Sequence, residues 1–548
     1  FAIAGTGVHT INLLSALPTI DDAVIIDAST DDSFAANGNR PAVVLNGGGT
    51  IQDGLRLYAG SDGSTIRGLV IRDFTSHGIN LAGSGGHTIA GNWIGLDDAG
   101  TGAAGNAYGI NLWNSSGNLI GGSTAADRNV VSGNTIDGIL VSTDNGTSTG
   151  NLIRGNYIGT SADGTAAVGN TNQGLWINAA GNTIGGTAPG EGNVISGTTV
   201  WAGISLKPQA SGTLIAGNFI GTDASGTVAL GNTGPGIAVE SANNVIGGIT
   251  AAARNVISGN LGRGIYLVGA GATGNVVIGN YIGTDVTGTQ DIDGATHDAA
   301  RSGIVIDQGA SNNRIGTDAD GVNDTAERNV ISGNNWYGVE FQAAGTTGNV
   351  VQGNYIGTDA TGLVDLGNRA GGVAFWSSST GNRLGGGAAG AGNVISGNDG
   401  AGVFFGNGAH HNKVQGNLIG LGADGSTLLG NSTEGVYFYA GSSSALVTGN
   451  LIGTDADGVN DAAERNVISG NPHGVILVDA EVTGNTIAGN FIGTDATGLL
   501  ARGNTVDGVR VLGGANNNVI GGSLAAERNV ISGNGQDGIQ IDGEASDG

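Results

Sequence analysis

Two short stretches hold the residues best suited to chemistry. Asp-Ala-Asp-Gly-Val-Asn-Asp occurs twice, placing Asp318, Asp320 and Asp324 in one copy and Asp455, Asp457 and Asp461 in the other, with Glu327 or Glu464 three residues further on. Carboxylates at the first, third and seventh positions around a glycine turn suit a hard cation, hence Ca²⁺, although a full twelve-residue calcium loop is not matched. The plainer reading is an exposed acidic turn whose Asp side chains bond their own backbone. The lone Asp of the related Gly-Thr-Asp turns (Asp223, Asp285, Asp359, Asp495) reads as turn chemistry alone.

Acid–base groups are scarcer. Lys413, His410, His411 and Tyr437 fall in one region of sequence and are the candidates for proton transfer, yet no spacing selects among them. No metalloprotease-type His pattern is present, and two adjacent His suit a solvated turn. An Arg recurs before one strand, at Arg128, Arg254, Arg328, Arg465 and Arg528, becoming Gly192 and Gly392 elsewhere. Because it keeps step with the repeat, it reads as an ion pair or carbonyl cap and not as a substrate-binding group.

A third set is aromatic. When Gly-Ile-x-Leu is read as a strand with Ile and Leu inward, the intervening side chains point outward. They include Trp113, Trp176, Tyr266, Trp376, Phe404, Tyr437 and Tyr439, in a chain with only 5% aromatics. Flat rings on one face stack on sugar rings, and an exposed apolar stripe marks a contact. The competing explanation is cover by a loop or a neighbouring protein.

The elements that must position these residues follow from a repeat. The phrase Asn-Val-Ile-Ser-Gly-Asn, or a close variant, begins at Asn129, Asn193, Asn255, Asn329, Asn393, Asn466 and Asn529, at steps of 64, 62, 74, 64, 73 and 63 residues. A fixed period of this size signals a repeat architecture. Each module of about 63 residues holds two copies of Gly-Ile-x-Leu followed by Asn-x-Ile-x-Gly, and the leading Gly recurs sixteen times from Gly54 to Gly538. Alternation of apolar and polar residues over three to five positions predicts short strands, and the Gly and Asn between them predict turns. Three such strands close one coil. The expected fold is all-β, a single-stranded right-handed parallel β-helix (solenoid) of about 16 coils, with two coils per module over residues 51–548. Asn134, Asn260, Asn334, Asn398, Asn471 and Asn534 would form an amide ladder, and Phe341, Phe375, Phe405 and Phe438 a core stack in four successive coils.

Residues 1–50 leave the repeat and read as an irregular N-terminal cap with the first coils, its strand candidates at 9–13, 23–27 and 42–46. No comparable cap follows the last coil, so further coils or another subunit are expected there. The chain starts at Phe1 within a strand-like run and shows no signal peptide, which is expected of a piece of a longer protein. Two modules are about ten residues longer, through an insertion at 291–301 and through the 450–465 run.

Composition narrows the partners. The formal charge is −26, with two lysines and seventeen arginines, so no basic stripe exists to displace counterions from phosphates and no nucleic-acid partner is expected. The chain has no Cys, hence no disulfide or thiol chemistry. Its apolar runs are only a few residues long, so no membrane insertion is expected.

The repeated Asn-x-Ile-x-Gly-Asn and Gly-Ile-x-Leu phrases resemble those of right-handed parallel β-helix proteins of the pectate-lyase-like superfamily, over roughly residues 50–548. They are most similar to those of long secreted bacterial surface or adhesin-like proteins carrying GNVISGN and GNYIGTDATG. The resemblance implies a secreted or cell-surface location and a non-catalytic stalk, fibre or adhesive segment, associating end-on or laterally with itself or with surface protein or polysaccharide. The architecture also hosts carbohydrate-active lyases, hydrolases and epimerases. A polysaccharide-binding or polysaccharide-degrading protein using the aromatic stripe is therefore the alternative. The polygalacturonase motifs are not recognisable here.

Overall fold

In the computed structural model, which describes residues 3–5, 7–292, 301–441 and 444–542, nearly all regular structure is short parallel strand. The insertion expected at 291–301 lies largely outside these residues. The chain divides into two units, Phe1–Gly262 and Arg263–Gly548, and each is built in the same way. Every turn of the coil adds one strand to each of three parallel sheets, making a right-handed parallel β-helix.

The first sheet is formed by the Gly-Ile-x-Leu segments. It has seven strands in the first unit, Leu55–Leu57 through Ile237–Val239, and nine in the second, Ile265–Val268 through Ile539–Ile541. These are the sixteen positions that the glycine period marks. The second sheet takes the Asn-x-Ile segments, such as Leu119–Gly121 and Lys413–Gln415. The third takes the Val-Ile pairs, such as Val130–Val131 and Tyr355–Ile356. Register is kept residue for residue: Ile110 pairs with Ile139, Leu112 with Val141, and Phe341 with Phe375.

Inward residues of all three sheets form the core. Ile139, Val141, Ile153 and Ile158 are fully buried in the first unit. In the second, Phe341, Phe375, Phe405 and Phe438 are fully buried and stack ring on ring at 4.7, 4.8 and 4.6 Å. The expected phenylalanine stack is therefore present.

Asparagine does more than the sequence suggests. One amide ladder is expected, and the structure has one at each corner of the coil. In the second unit Asn280, Asn329, Asn354, Asn393, Asn417, Asn466 and Asn490 bond in series through Nδ2–H···Oδ1 contacts of 2.8–3.1 Å. A second ladder runs Asn334, Asn368, Asn398 and Asn431, and a third Asn313, Asn349, Asn382 and Asn412. Each amide also caps a backbone carbonyl at the bend, as Asn354 Nδ2 does at Ile315 O, 3.0 Å. The ladder amides are thus buried and hydrogen-bonded by neutral groups.

The N-terminal segment contributes strands His9–Asn12, Ile25–Asp27 and Val43–Asn46, close to the three expected, and they join the sheets of the first coils. The polar run between the last two folds as a short helix, Asp32–Ala36, with Asp31 as N-cap accepting from Ser33 N.

The module length has a structural cause. Only every second strand of the third sheet is followed by a long Gly-Thr-Asp loop, and within each unit successive loops of this kind bond one another two coils apart. Ala162 N donates to Gly100 O (2.8 Å), Ala224 N to Gly164 O (3.0 Å), and Ala360 N, Ala423 N and Ala496 N to Gly288, Gly362 and Gly425 O (2.9 Å each).

Candidate functional site

The Gly-Thr-Asp turns behave as expected of turn chemistry. Asp359 Oδ1 accepts from Thr361 N and Oγ1, Leu363 N and Val364 N at 2.7–3.3 Å. Asp495 does the same for Leu499 N and Leu500 N, and these bonds hold its carboxyl below the usual carboxylate range.

The two acidic heptads fold into matching loops. In each, the three Asp carboxylates come within 4.8 Å of one another, an arrangement that could hold a metal ion. The same groups also bond the backbone: Asp320 Oδ1 accepts from Val322 N at 2.7 Å and Asp457 Oδ1 from Val459 N at 2.7 Å. Glu327 and Glu464 are not part of the triads; each accepts from the backbone of the first Asp, at Asp318 N (2.9 Å) and Asp455 N (3.2 Å). The loops differ in their cationic neighbour. Arg314 Nη2 stands 3.9 Å from Asp318, whereas Lys413 Nζ bonds Asp455 Oδ2 at 2.7 Å and lowers its pKa.

That bond also bears on catalysis. Lys413 lies on the second sheet, while Tyr437 lies on the first. His410 and His411 occupy the turn before Lys413, where His410 Nδ1 contacts Gly408 O (2.8 Å) and His411 has a left-handed backbone (φ 54°). The four acid–base candidates are thus spread over two sheets and a turn.

The repeated Arg is a cap with an aromatic seat. Arg328 Nε donates to Gly353 O (3.0 Å) and Arg465 Nε to Gly489 O (2.9 Å), with the guanidinium 4.1 Å above Tyr355 and 4.0 Å above Phe491. The preceding acids pair elsewhere, Asp127 with Arg67 and Glu327 with Arg314.

On the outer face of the first sheet the aromatic residues differ in exposure. In the first unit Trp113 is 44% exposed and Trp176 half-buried. In the second, Tyr266 and Phe404 point outward yet are only 8% and 7% exposed, which corrects the expectation of a uniformly open stripe. Tyr266 is covered by its polar neighbours: its hydroxyl donates to Asp307 Oδ2 (2.9 Å), and Arg263 sits 4.4 Å over its ring. Burial, with Asp307 beside it, pushes its pKa up to about 12. Phe404 is covered by other rings, Trp376 at 4.5 Å and Tyr437 at 5.6 Å. Tyr437 in turn stacks on Tyr439 at 5.7 Å and an interplanar angle of 3°. The result is a packed aromatic platform, with Phe404 beneath, Trp376 and Tyr437 half-buried and Tyr439 40% exposed.

Three features of this face were not read from the sequence. Glu340, outward but 4% exposed, accepts from Ser302 Oγ at 2.6 Å, and burial raises its pKa. Asp53 holds His77 through Nδ1 at 2.8 Å, with Tyr108 stacked on the imidazole at 5.2 Å. His473 Nδ1 stands 3.4 Å from the fully buried Asp507. Only the column occupied by each residue before the leading Gly could have signalled the pairs, since their partners lie 24 to 34 positions apart.

Elsewhere, the long loops of the second unit carry an apolar ridge: Leu363, Val364, Leu428, Leu499 and Leu500 are 43–84% exposed. Among the described residues no helix is long and apolar enough to cross a membrane.

No protein-family model and no curated protein matches the chain. Among solved structures, a mutant of the periplasmic alginate epimerase AlgG is similar at 13% identity, over 91% of this chain and 76% of that one, with a TM-score of 0.31. A complex of the alginate lyase AlyF-OU02 is similar at 14% identity, over 64% and 79%, with a TM-score of 0.33. A double mutant of the tailspike protein of E. coli bacteriophage HK620, in complex with pentasaccharide, is similar at 13% identity, over 93% and 74%, with a TM-score of 0.28. Likeness at this level concerns chain course alone, and the strand pairing above establishes the β-helix without it.

Proposed function

We propose that the chain is a secreted or surface-displayed binding segment that holds a polysaccharide on the aromatic platform of its second unit, without turning it over. The observation that carries this reading is the Trp376–Phe404–Tyr437–Tyr439 cluster. Rings packed on one another from successive coils present a rigid, partly exposed surface, and such surfaces stack on pyranose faces at little entropic cost. Binding without turnover is supported by the dispersal of Lys413, His410, His411 and Tyr437.

The test is a glycan-binding screen followed by W376A and Y439A variants, with reducing ends and unsaturated products monitored throughout. Retained glycan should fall on either substitution while the melting temperature holds. Product formation that disappears in Lys413, His411 or Tyr437 variants would replace this reading with an enzymatic one.

Lateral self-association is a second reading, favoured by the apolar ridge of the long loops. Light scattering of the wild type against L428S and L499S should show association lost in the variants. A monomer at high concentration in every form would remove this reading.

Ca²⁺ in the two acidic loops would brace either surface, with Asp318, Asp320 and Asp324 and with Asp455, Asp457 and Asp461 as its ligands. A site with free ion a hundredfold above its Kd adds about 2.7 kcal/mol. Chelator should therefore lower the wild-type melting temperature and leave a D320N/D457N variant unchanged; equal curves would exclude a structural ion.

A further inference from the structure

A cavity of about 630 Å³ lies in the first unit between the N-terminal cap and the outer side of the third sheet. This is ample for a small organic ligand. Its apolar lining comes from both elements, Phe34 and Pro41 from the cap and Trp93 from the sheet, and it also receives two cations, Arg40 and Arg128.

Both cations stand out in a chain of charge −26. Among the described residues, Arg67, Arg72 and Arg154 of this unit are held in ion pairs and Arg56 donates to Leu17 O at 2.7 Å, whereas no ion pair includes Arg40 or Arg128. Arg128 departs from its repeat equivalents as well. It keeps the aromatic seat, 4.0 Å above Tyr157, but its Nε is buried without a hydrogen-bond partner, where Arg328 and Arg465 use that atom to cap a glycine carbonyl. The one acid lining the cavity, Asp163, already accepts on Oδ1 from Ser161 Oγ and from Thr165 N and Oγ1.

We propose that this cavity binds a small anion carried on a flat apolar body, of the class of an aromatic carboxylate. The anionic group meets Arg128 and Arg40, and the ring lies against Trp93 and Phe34. Guanidinium recognises a planar carboxylate through paired N–H donors, and the indole and phenyl rings supply dispersion without a polar penalty. The site is independent of the aromatic platform, and its outcome leaves that reading untouched.

The test is isothermal titration of the full chain with 1-naphthoate and with its uncharged counterpart 1-naphthalenemethanol, on wild type, R128Q and R40Q. One naphthoate should bind per chain, about tenfold more tightly than the alcohol, and each substitution should weaken naphthoate by about tenfold while leaving the alcohol alone. R40Q changes an exposed side chain that bonds only Asn37, so it keeps the test valid should R128Q unfold. Equal binding of the two probes, naphthoate affinity unchanged in both variants, or no saturable heat at millimolar probe would each overturn the proposal.

Discussion

Single residues in this chain carry an unusual share of the hydrogen bonding. Asn354 is fully buried; its Nδ2 reaches Ile315 O, Gln352 O and Asn393 Oδ1, and its Oδ1 accepts from Asn329 N and Nδ2. N354A would orphan several of these groups at once and should cost on the order of 3 kcal/mol in urea unfolding, whereas N516A, on an exposed side chain, should stay within about 0.5 kcal/mol. Glu340 gives a pH signature. Burial raises its pKa, against hydrogen bonds from Ser302 and Gln342, the charge of Arg263 and a bond from Trp336. A carboxyl with a raised folded pKa stabilises most below its unfolded value of about 4.3, and that contribution is lost as pH rises through the folded value. Relative to wild type, E340Q should therefore gain stability between pH 4 and pH 8, and a pH-independent difference between the two would refute the assignment. Little of this is legible at the residue scale in sequence, because the ladder partners of Asn354, Asn329 and Asn393, and the Ser302 that donates to Glu340 lie 25 to 39 positions away.

The elements were far more legible. A strand lies at each of the sixteen marked glycines, and most of these positions leave no room for a Cβ: one on Gly109 would sit 2.5 Å from Gly138 O, and one on Gly174 2.6 Å from Gly203 O. The phenylalanine stack was legible for the same reason, as register is fixed by the glycine. F375A removes the second ring of four from a fully buried column and should cost about 3–5 kcal/mol, with F375L costing less, as read by thermal and urea unfolding. What alternation did not reveal is the state of the outer face. Period two says which way Phe404 and Tyr266 point, but their burial depends on Trp376, Tyr437 and Arg263 packed beside them.

For the whole molecule, charge is the dominant global term. At −26, with interior corners built from neutral amides, the carboxylates sit mostly on the surface and repel one another. Raising NaCl from 10 mM to 1 M contracts the screening length from about 30 to about 3 Å, so the melting temperature should rise by several degrees; a fall would mean that ion pairs such as Arg67–Asp127 and Arg154–Glu191 outweigh the repulsion. The division at Gly262 has no counterpart in composition or spacing and was not legible. Hydrogen bonding between alternate loops, such as Ala360 N to Gly288 O, sets a parity rule for how such a gene can change length. Duplicating or deleting a single turn would leave the loop at the junction facing a short bend instead of its partner, whereas gaining or losing turns in pairs preserves all the matches. Viable recombinants should therefore differ by even numbers of turns.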